Sequence, residues 1–386
     1  MDGNPSAPIV FDVGSGFVKA GFGGDDAPRA MLYNIVGRPR NVVESLSFLC
    51  RTRVGDEALF TKGTCKILDP VERGKIVLWD DWEKVMRHTF YNELRSEPED
   101  HPVVMALAPL TDQNDKEKIS QILFETFQVP SLYLENNTVC SLVECGRTDG
   151  LVLDSGYAIT HAVPVLNGIS QDDATLTLEM GGNDLTRYLT DFAHEKGLQF
   201  FSRIDLTVTQ DMKEKHGRVS QDVAREIAEG CSAIDYELPD GKIFKIEKEQ
   251  FLCAEPLFNP QLLHINQLGI HEMIHESIQK CELGSRKQLY ENIVLAGGSS
   301  LFKGMKERLT NELKELISPS INLQVHQPEY IYTKWIGASI CSVLESKKQN
   351  YVTRQQYEEN GSNHPSNHSS TDIVTNSSQN SQKDHV

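Results

Sequence analysis

The sequence predicts an α/β protein of two similar lobes, on three observations: its length of 386 residues, a strand and glycine turn that occur twice, and strands that alternate with helices around both copies. Length weighs first, because a single hydrophobic core stops growing at about 250–300 residues and longer chains split. The first copy is a strand over 8–11, a turn through Asp12, Val13, Gly14, Ser15 and Gly16, and a return over 17–22. Its glycines stand where a hairpin must bend sharply. The second copy is the strand Leu151, Val152, Leu153, the turn Asp154, Ser155, Gly156, and a return over 157–165. Between the copies lie a mixed segment over 39–61 and helical stretches near 82–94 and 115–127. After the second copy come helices near 184–196 and 222–233, a hairpin signal at Pro239, Asp240 and Gly241, and a helix over 270–281. This order is α/β throughout, with a duplicated core.

Charge bounds the partners. Lys and Arg total 38 against 55 Asp and Glu, a net charge of -17, which opposes direct nucleic-acid contact and anionic membranes and suits basic protein surfaces or metal-bound nucleotide. The eight cysteines show no CxxC pair, so reduced thiols in a cytosolic protein are expected. No signal-peptide pattern opens the chain and no run of eighteen apolar residues occurs, so no membrane insertion is expected. Residues 361–386 are Asn, Ser, His, Gln and Thr with almost nothing apolar, the composition of a disordered tail.

Three turns carry candidate chemistry. Gly14, Ser15 and Gly16 form a possible anion cradle of backbone N–H groups, although such a turn is more often an ordinary hairpin tip. Its twin at Asp154, Ser155 and Gly156 strengthens the reading, since two turns facing across a cleft would clamp a polyphosphate. Asp12 and Asp154 would then flank Mg²⁺, which keeps several waters and favours carboxylates, and Lys19 would balance phosphate charge. The third turn, Ala296, Gly297, Gly298, Ser299 and Ser300, follows the apolar Ile293, Val294 and Leu295 and precedes a helix from about Phe302. Strand, Gly-Gly and helix suit a nucleoside or phosphate contact, or equally a tight connection.

In this order and at these separations the three loops resemble the phosphate and adenosine loops of actin. The segments VKAGFGGDDAPRA (18–30), IVGRPR (35–40), VGDEA (54–58), HTFYNELR (88–95), YELPDG (236–241) and WIGASI (335–340) are also similar to actin segments, and the similarity runs from about residue 9 to about 361. The resemblance implies the two-lobed fold shared by actin, sugar kinases and chaperone ATPases, with a central nucleotide cleft. It implies one lobe core over 1–32, 71–144 and 334–360 with an outer part over 33–70, and a second over 145–180 and 266–333 with an outer part over 181–265. It puts Asp12, Gly14, Ser15, Gly16 and Lys19 on the first phosphate loop and Asp154, Ser155 and Gly156 on the second. Gly182, Lys213, Glu214, Gly297, Gly298, Ser299 and Phe302 fall around the nucleoside, and Asn137 and His161 where actins position the attacking water. ATP or ADP with Mg²⁺, a cytoplasmic, cytoskeletal location, and actin, itself or actin-binding proteins as partners follow from the same resemblance.

Departures are equally specific. Actins read Gly-Asp-Gly in the second loop, whereas this chain reads Gly156, Tyr157, Ala158. A carboxylate is lost, and Ala158 is strained by roughly 1 kcal/mol if its φ is positive. Asn137 replaces a glutamine, which draws its amide back by about 1.5 Å, and misplacement of that order costs on the order of a hundredfold in rate. Ile331 replaces a lysine near the adenine. The filament loop reads Asn41-Val42-Val43-Glu44-Ser45-Leu46-Ser47-Phe48-Leu49, and its receiving groove has Val143 and Ile169 for tyrosines, with Cys341 and Asn350 less apolar than their counterparts. The acidic N-terminal cluster of actins is missing. The resemblance therefore implies an actin-like cytoskeletal protein that binds nucleotide and assembles into or onto actin filaments, with weakened ATPase activity. The alternatives are a non-polymerising actin-related subunit of a larger complex, and a small-molecule kinase or chaperone-type ATPase.

Two further patterns are set aside. His271, Glu272 and His275 spell a zinc-protease HExxH on a helix, but no third ligand follows at a recognisable spacing. Trp79, Asp80, Asp81 and Trp82 read as a helix start capped by Asp80 or Asp81.

Overall fold

Runs of branched apolar residues that are buried on both faces, such as Ile9-Val10-Phe11 and Val103 to Leu107, make central strands of covered sheets. The computed structural model describes residues 6–40, 52–61, 64–200 and 202–360; the expectations for residues 41–49 and 361–386 lie outside these. In chain order the elements that matter here are β1 (Ile9–Val13), β2 (Phe17–Phe22), β3 (Ala30–Tyr33), α1 (Trp79–His88), β4 (Val103–Leu107), β5 (Ser131–Asn136) and α2 (Asn137–Glu144). Then follow β6 (Gly150–Ser155), β7 (Thr160–Leu166), β8 (Leu176–Leu178), α3 (Gly182–Glu195), α4 (Arg203–His216), α5 (Ile270–Lys280), β9 (Ile293–Ala296), β10 (Val325–His326), α6 (Thr333–Val343) and β11 (Val352–Thr353). The described chain divides into two compact units, one of residues within 1–148, 165–170 and 332–360, the other within 149–164 and 171–331.

The first unit is built on a sheet in the order β11-β5-β4-β1-β2-β3. β1 runs antiparallel to β2 and parallel to β4, and β4 runs parallel to β5. One face carries Phe11, Met105, Trp82, Val85 and Phe90. The other carries Val10, Val104, Tyr133, Cys140 and Trp335. Each fully buried side chain of this size contributes about 1.5–3 kcal/mol. Helices α2 and α6 approach so closely that a Cβ on Gly337 would lie 1.8 Å from the Cys140 carbonyl oxygen. Trp335 Nε1 donates to the Val10 carbonyl at 3.0 Å, which fastens the first turn of α6 onto β1.

The expected helix cap at Asp80 or Asp81 is not formed. Leu78 is the N-cap of α1 without a side-chain bond, and Asp81 is fully buried, paired with Arg38 and Lys84 at 2.8 Å each. Two cations make a better partner set for a buried carboxylate than a backbone amide alone. The helix expected over 82–94 continues past α1 as a π-helical turn, Thr89–Leu94.

The second unit carries strands in the order β7-β6-β9-β10, with β8 against β7. β6 and β9 are parallel, as are β9 and β10. The hairpin signal at Pro239, Asp240 and Gly241 joins two paired strands, Ile234–Glu237 and Ile243–Ile246. Among the described residues no helix is long and apolar enough to cross a membrane.

Candidate functional site

The two glycine turns are closed in the same way. Gly14 N–H donates to the Phe17 carbonyl at 2.9 Å, and Gly156 N–H donates to the Ile159 carbonyl at 3.0 Å. Each hairpin therefore places an aspartate, Asp12 or Asp154, two residues before its closing amide. Asp12 is 2 % exposed and Asp154 5 %. Neither Gly156 nor Ala158 has a positive φ, so the expected backbone strain at Ala158 is absent: the turn keeps ordinary torsions and alanine is tolerated.

Strand register places both turns at the carboxyl ends of parallel strands, where α/β sheets present ligand loops. In the first unit Asp12 is level with Ala106, and Ala106 with Glu135. Asn137, two residues past Glu135, thus emerges on the same sheet edge as Gly14, two strands and about 10 Å away. In the second unit Asp154 is level with Ala296, so the Gly156 and Gly298 turns are neighbours. Gly297 has φ +81°, and a Cβ there would lie 2.2 Å from the Ser155 carbonyl oxygen. Only glycine fits this contact.

In the first unit Lys19 Nζ bonds Asp12 at 2.8 Å, both side chains being buried. Burial alone would push the Asp12 carboxyl up; the charges of Lys19 and then Lys334, with the Lys19 hydrogen bond, bring it below the usual carboxylate range. Ser15 Oγ accepts from Gly74 N–H at 2.9 Å. Asn137 begins α2 after the N-cap Asn136, which accepts from Thr138 N–H at 2.9 Å. The Asn137 side-chain oxygen is buried with no hydrogen-bond partner among the described residues.

In the second unit Lys213, on α4, donates to the Gly182 carbonyl at 2.6 Å and to Thr186 Oγ1 at 2.9 Å. Burial pushes its ammonium down to about 8. Ser299 Oγ and Lys213 Nζ both stand within 3.3 Å of where a Gly182 Cβ would be. Phe302 is buried against Gly217 at the end of α4. Glu214 is exposed and accepts from Gln210 at 2.8 Å. His161 is paired in register with Thr177, whose hydroxyl lies 3.0 Å from Nδ1. Tyr157, where the resemblance implies a carboxylate, donates its hydroxyl to Asn183 at 3.1 Å.

These residues suit a nucleotide with a water-held cation. Gly298 has open space at its Cβ position, and Asn137 offers a buried acceptor without a partner, suited to an ordered water. Asp12 in the first unit and Asp154 in the second are each buried carboxylates, the group that meets a cation through its waters. Among the described residues no three His, Cys, Asp or Glu side chains gather into a direct metal cage, which a hydrated Mg²⁺ does not need.

The first unit thus gathers Asp12, Gly14, Ser15, Gly16 and Lys19 on one hairpin with Asn137 on the same edge. The second gathers Asp154, Ser155, Gly156, Gly182, Lys213, Gly297, Gly298 and Ser299, with Phe302 at the end of α4 and Glu214 at the surface. Sequence reasoning missed Gly181, where a Cβ would lie 2.6 Å from the Ala158 and Ile159 nitrogens. The adjacent pair Gly181-Gly182 after a strand was its available signal. Thr186, Asn183 and Lys334 carried none. The HExxH residues have structural duties: Glu272 caps α5 through Gly269 N–H at 2.9 Å, His275 Nδ1 meets the Tyr290 hydroxyl at 2.9 Å, and His271 stacks on Phe258.

The family model described as actin matches residues 3–366 of the 386. With matched hairpins on duplicated parallel strand ends, and a match over nearly the whole length, the chain belongs to the actin family.

Proposed function

We propose that this chain is a divergent actin-like cytoskeletal protein of the cytoplasm that binds ATP or ADP with Mg²⁺ and assembles into or onto actin filaments, with weakened hydrolysis. The observation that carries nucleotide binding is the identity of the two hairpins, each closed by the same amide-to-carbonyl bond and each led by a buried aspartate. Gly14, Ser15, Gly16 and Lys19 serve phosphate oxygens. Gly156, Gly182, Lys213, Gly297, Gly298, Ser299 and Phe302 serve the nucleotide, and Glu214 and Ser155 border the latter group. Asp12 and Asp154 meet the waters of the cation, whose role when bound is to neutralise phosphate charge.

Weak hydrolysis follows from the water-handling groups. Asn137 is one methylene shorter than the family glutamine, and Tyr157 spends its hydroxyl on Asn183 rather than offering a carboxylate. His161 is held by Thr177. Nucleotide contacts depend on other groups, so binding survives where chemistry is slowed.

Two measurements test this reading. Co-sedimentation with conventional actin is expected to bring the chain into the pellet; failure to pellet, alone and with actin, refutes the filament role and leaves a non-polymerising subunit. Single-turnover γ-phosphate release is expected to be on the order of a hundredfold slower than in ordinary actin, and an equal rate would refute the hydrolytic part.

A further inference from the structure

We propose that Asn34 is a positioning residue of the first glycine turn, holding two of its carbonyls so that the amides that follow them are presented to nucleotide phosphates. The inference rests on the nucleotide-binding reading above, and its geometry lies wholly within the first unit. Asn34 directly follows β3 and is fully buried. Its side-chain Nδ2 donates to the Gly14 carbonyl at 2.8 Å, and its backbone N–H donates to the Gly16 carbonyl at 2.9 Å. The preceding Tyr33 packs its ring on Phe17 with centroids 4.7 Å apart, which keeps Asn34 against the turn. A peptide unit is planar and trans, so its carbonyl and its N–H point in opposite directions. With the Gly14 and Gly16 carbonyls drawn toward Asn34, the Ser15 and Phe17 amides are turned away from it, the backbone arrangement that makes an anion cradle.

Two observations separate this role from ordinary packing. Asn34 Oδ1 is buried with no hydrogen-bond partner among the described residues. An unsatisfied buried acceptor lowers stability, so the amide is not explained by what it adds to the fold; an apolar side chain of similar size would avoid that cost. The second hairpin supplies the other observation. Its Gly156 carbonyl, the counterpart of Gly14 by the shared closing bond, is also held from outside the turn, by Gly182 N–H at 2.9 Å. A backbone amide holds this carbonyl in the second unit, and the Asn34 side chain does so in the first.

The test compares wild type with Asn34→Leu and Asn34→Ala as full chains, measuring ADP and adenosine by competition against a fluorescent ADP analogue in Mg²⁺. Both variants keep the backbone bond to Gly16 and lose the side-chain bond to Gly14. Affinity for ADP is expected to fall by about five- to tenfold, the effect of one lost hydrogen bond, while affinity for adenosine, which has no phosphate, changes by less than about twofold. The unfolding midpoint of nucleotide-free Asn34→Leu is expected to lie no more than about 2 °C below that of wild type. ADP affinity within about twofold of wild type, or equal losses for ADP and adenosine, overturns the inference and leaves nucleotide binding standing. Should neither variant fold, the wild type decides: inorganic tripolyphosphate is expected to shift the Ser15 amide resonance saturably, and an unmoved resonance overturns the inference. Absence of ADP binding to the wild type overturns the nucleotide reading and this inference with it.

Discussion

Replacing Lys213 by methionine is expected to abolish a pH dependence of stability that the buried amine imposes. Lys213 is 7 % exposed, and its hydrogen-bond acceptors, the Gly182 carbonyl and the Thr186 hydroxyl, are neutral. Burial lowers its pKa from 10.5 to about 8. At about 1.4 kcal/mol per tenfold, this is on the order of 3 kcal/mol. Below pH 8 the amine is protonated in both folded and unfolded chains, and the native state bears the full cost of burying the charge. Between about 8 and 10.5 the unfolded chain binds the extra proton, so stability rises with pH. Above that window both forms are neutral and the cost is gone. Urea unfolding of wild type and Lys213→Met at intervals from pH 7 to 10.5 measures the effect as a difference, in which the tyrosine and cysteine titrations common to both proteins cancel. The wild type is expected to gain on the methionine variant by about 3 kcal/mol across the window. A difference that stays flat with pH would show that the ammonium is not buried as described.

Restoring the family carboxylate and glycine with Tyr157→Asp and Ala158→Gly is expected to speed single-turnover phosphate release by tenfold or more, the order of effect of a regained positioning group; an unchanged rate would remove these residues from the account of slow hydrolysis. Gly297→Ala forces a Cβ to within 2.2 Å of the Ser155 carbonyl oxygen at φ +81°. It is expected to lower stability by about 2–4 kcal/mol in urea unfolding, and a loss below about 0.5 kcal/mol would mean that the two loops do not touch.

Much of the site is local in sequence, which is why it could be read there. An apolar strand, an aspartate and a glycine turn specify a hairpin within about ten residues, and the period-two register then fixes which residues share the strand end. Asp12, Gly14, Asp154 and Gly156 fall out of that pattern directly. What stayed hidden depends on distant contacts. Asp81 looked like a helix cap because its partner Arg38 lies 43 residues away. Trp335 reaches the Val10 carbonyl across 325 residues of sequence. The strain expected at Ala158 assumed a positive φ that the four-residue turn does not use. The π-helical turn at Thr89–Leu94 has no signature in a 3.6-residue period.

Nucleotide binding is the claim on which the rest depends, and thermal unfolding of the full chain with and without ATP tests it most directly. A ligand that binds only the folded state at about a hundred times its dissociation constant adds about 2.7 kcal/mol, which for a chain of this length raises the midpoint by about 3 °C. That rise is expected with millimolar ATP or ADP. A midpoint that does not move with either nucleotide would contradict it.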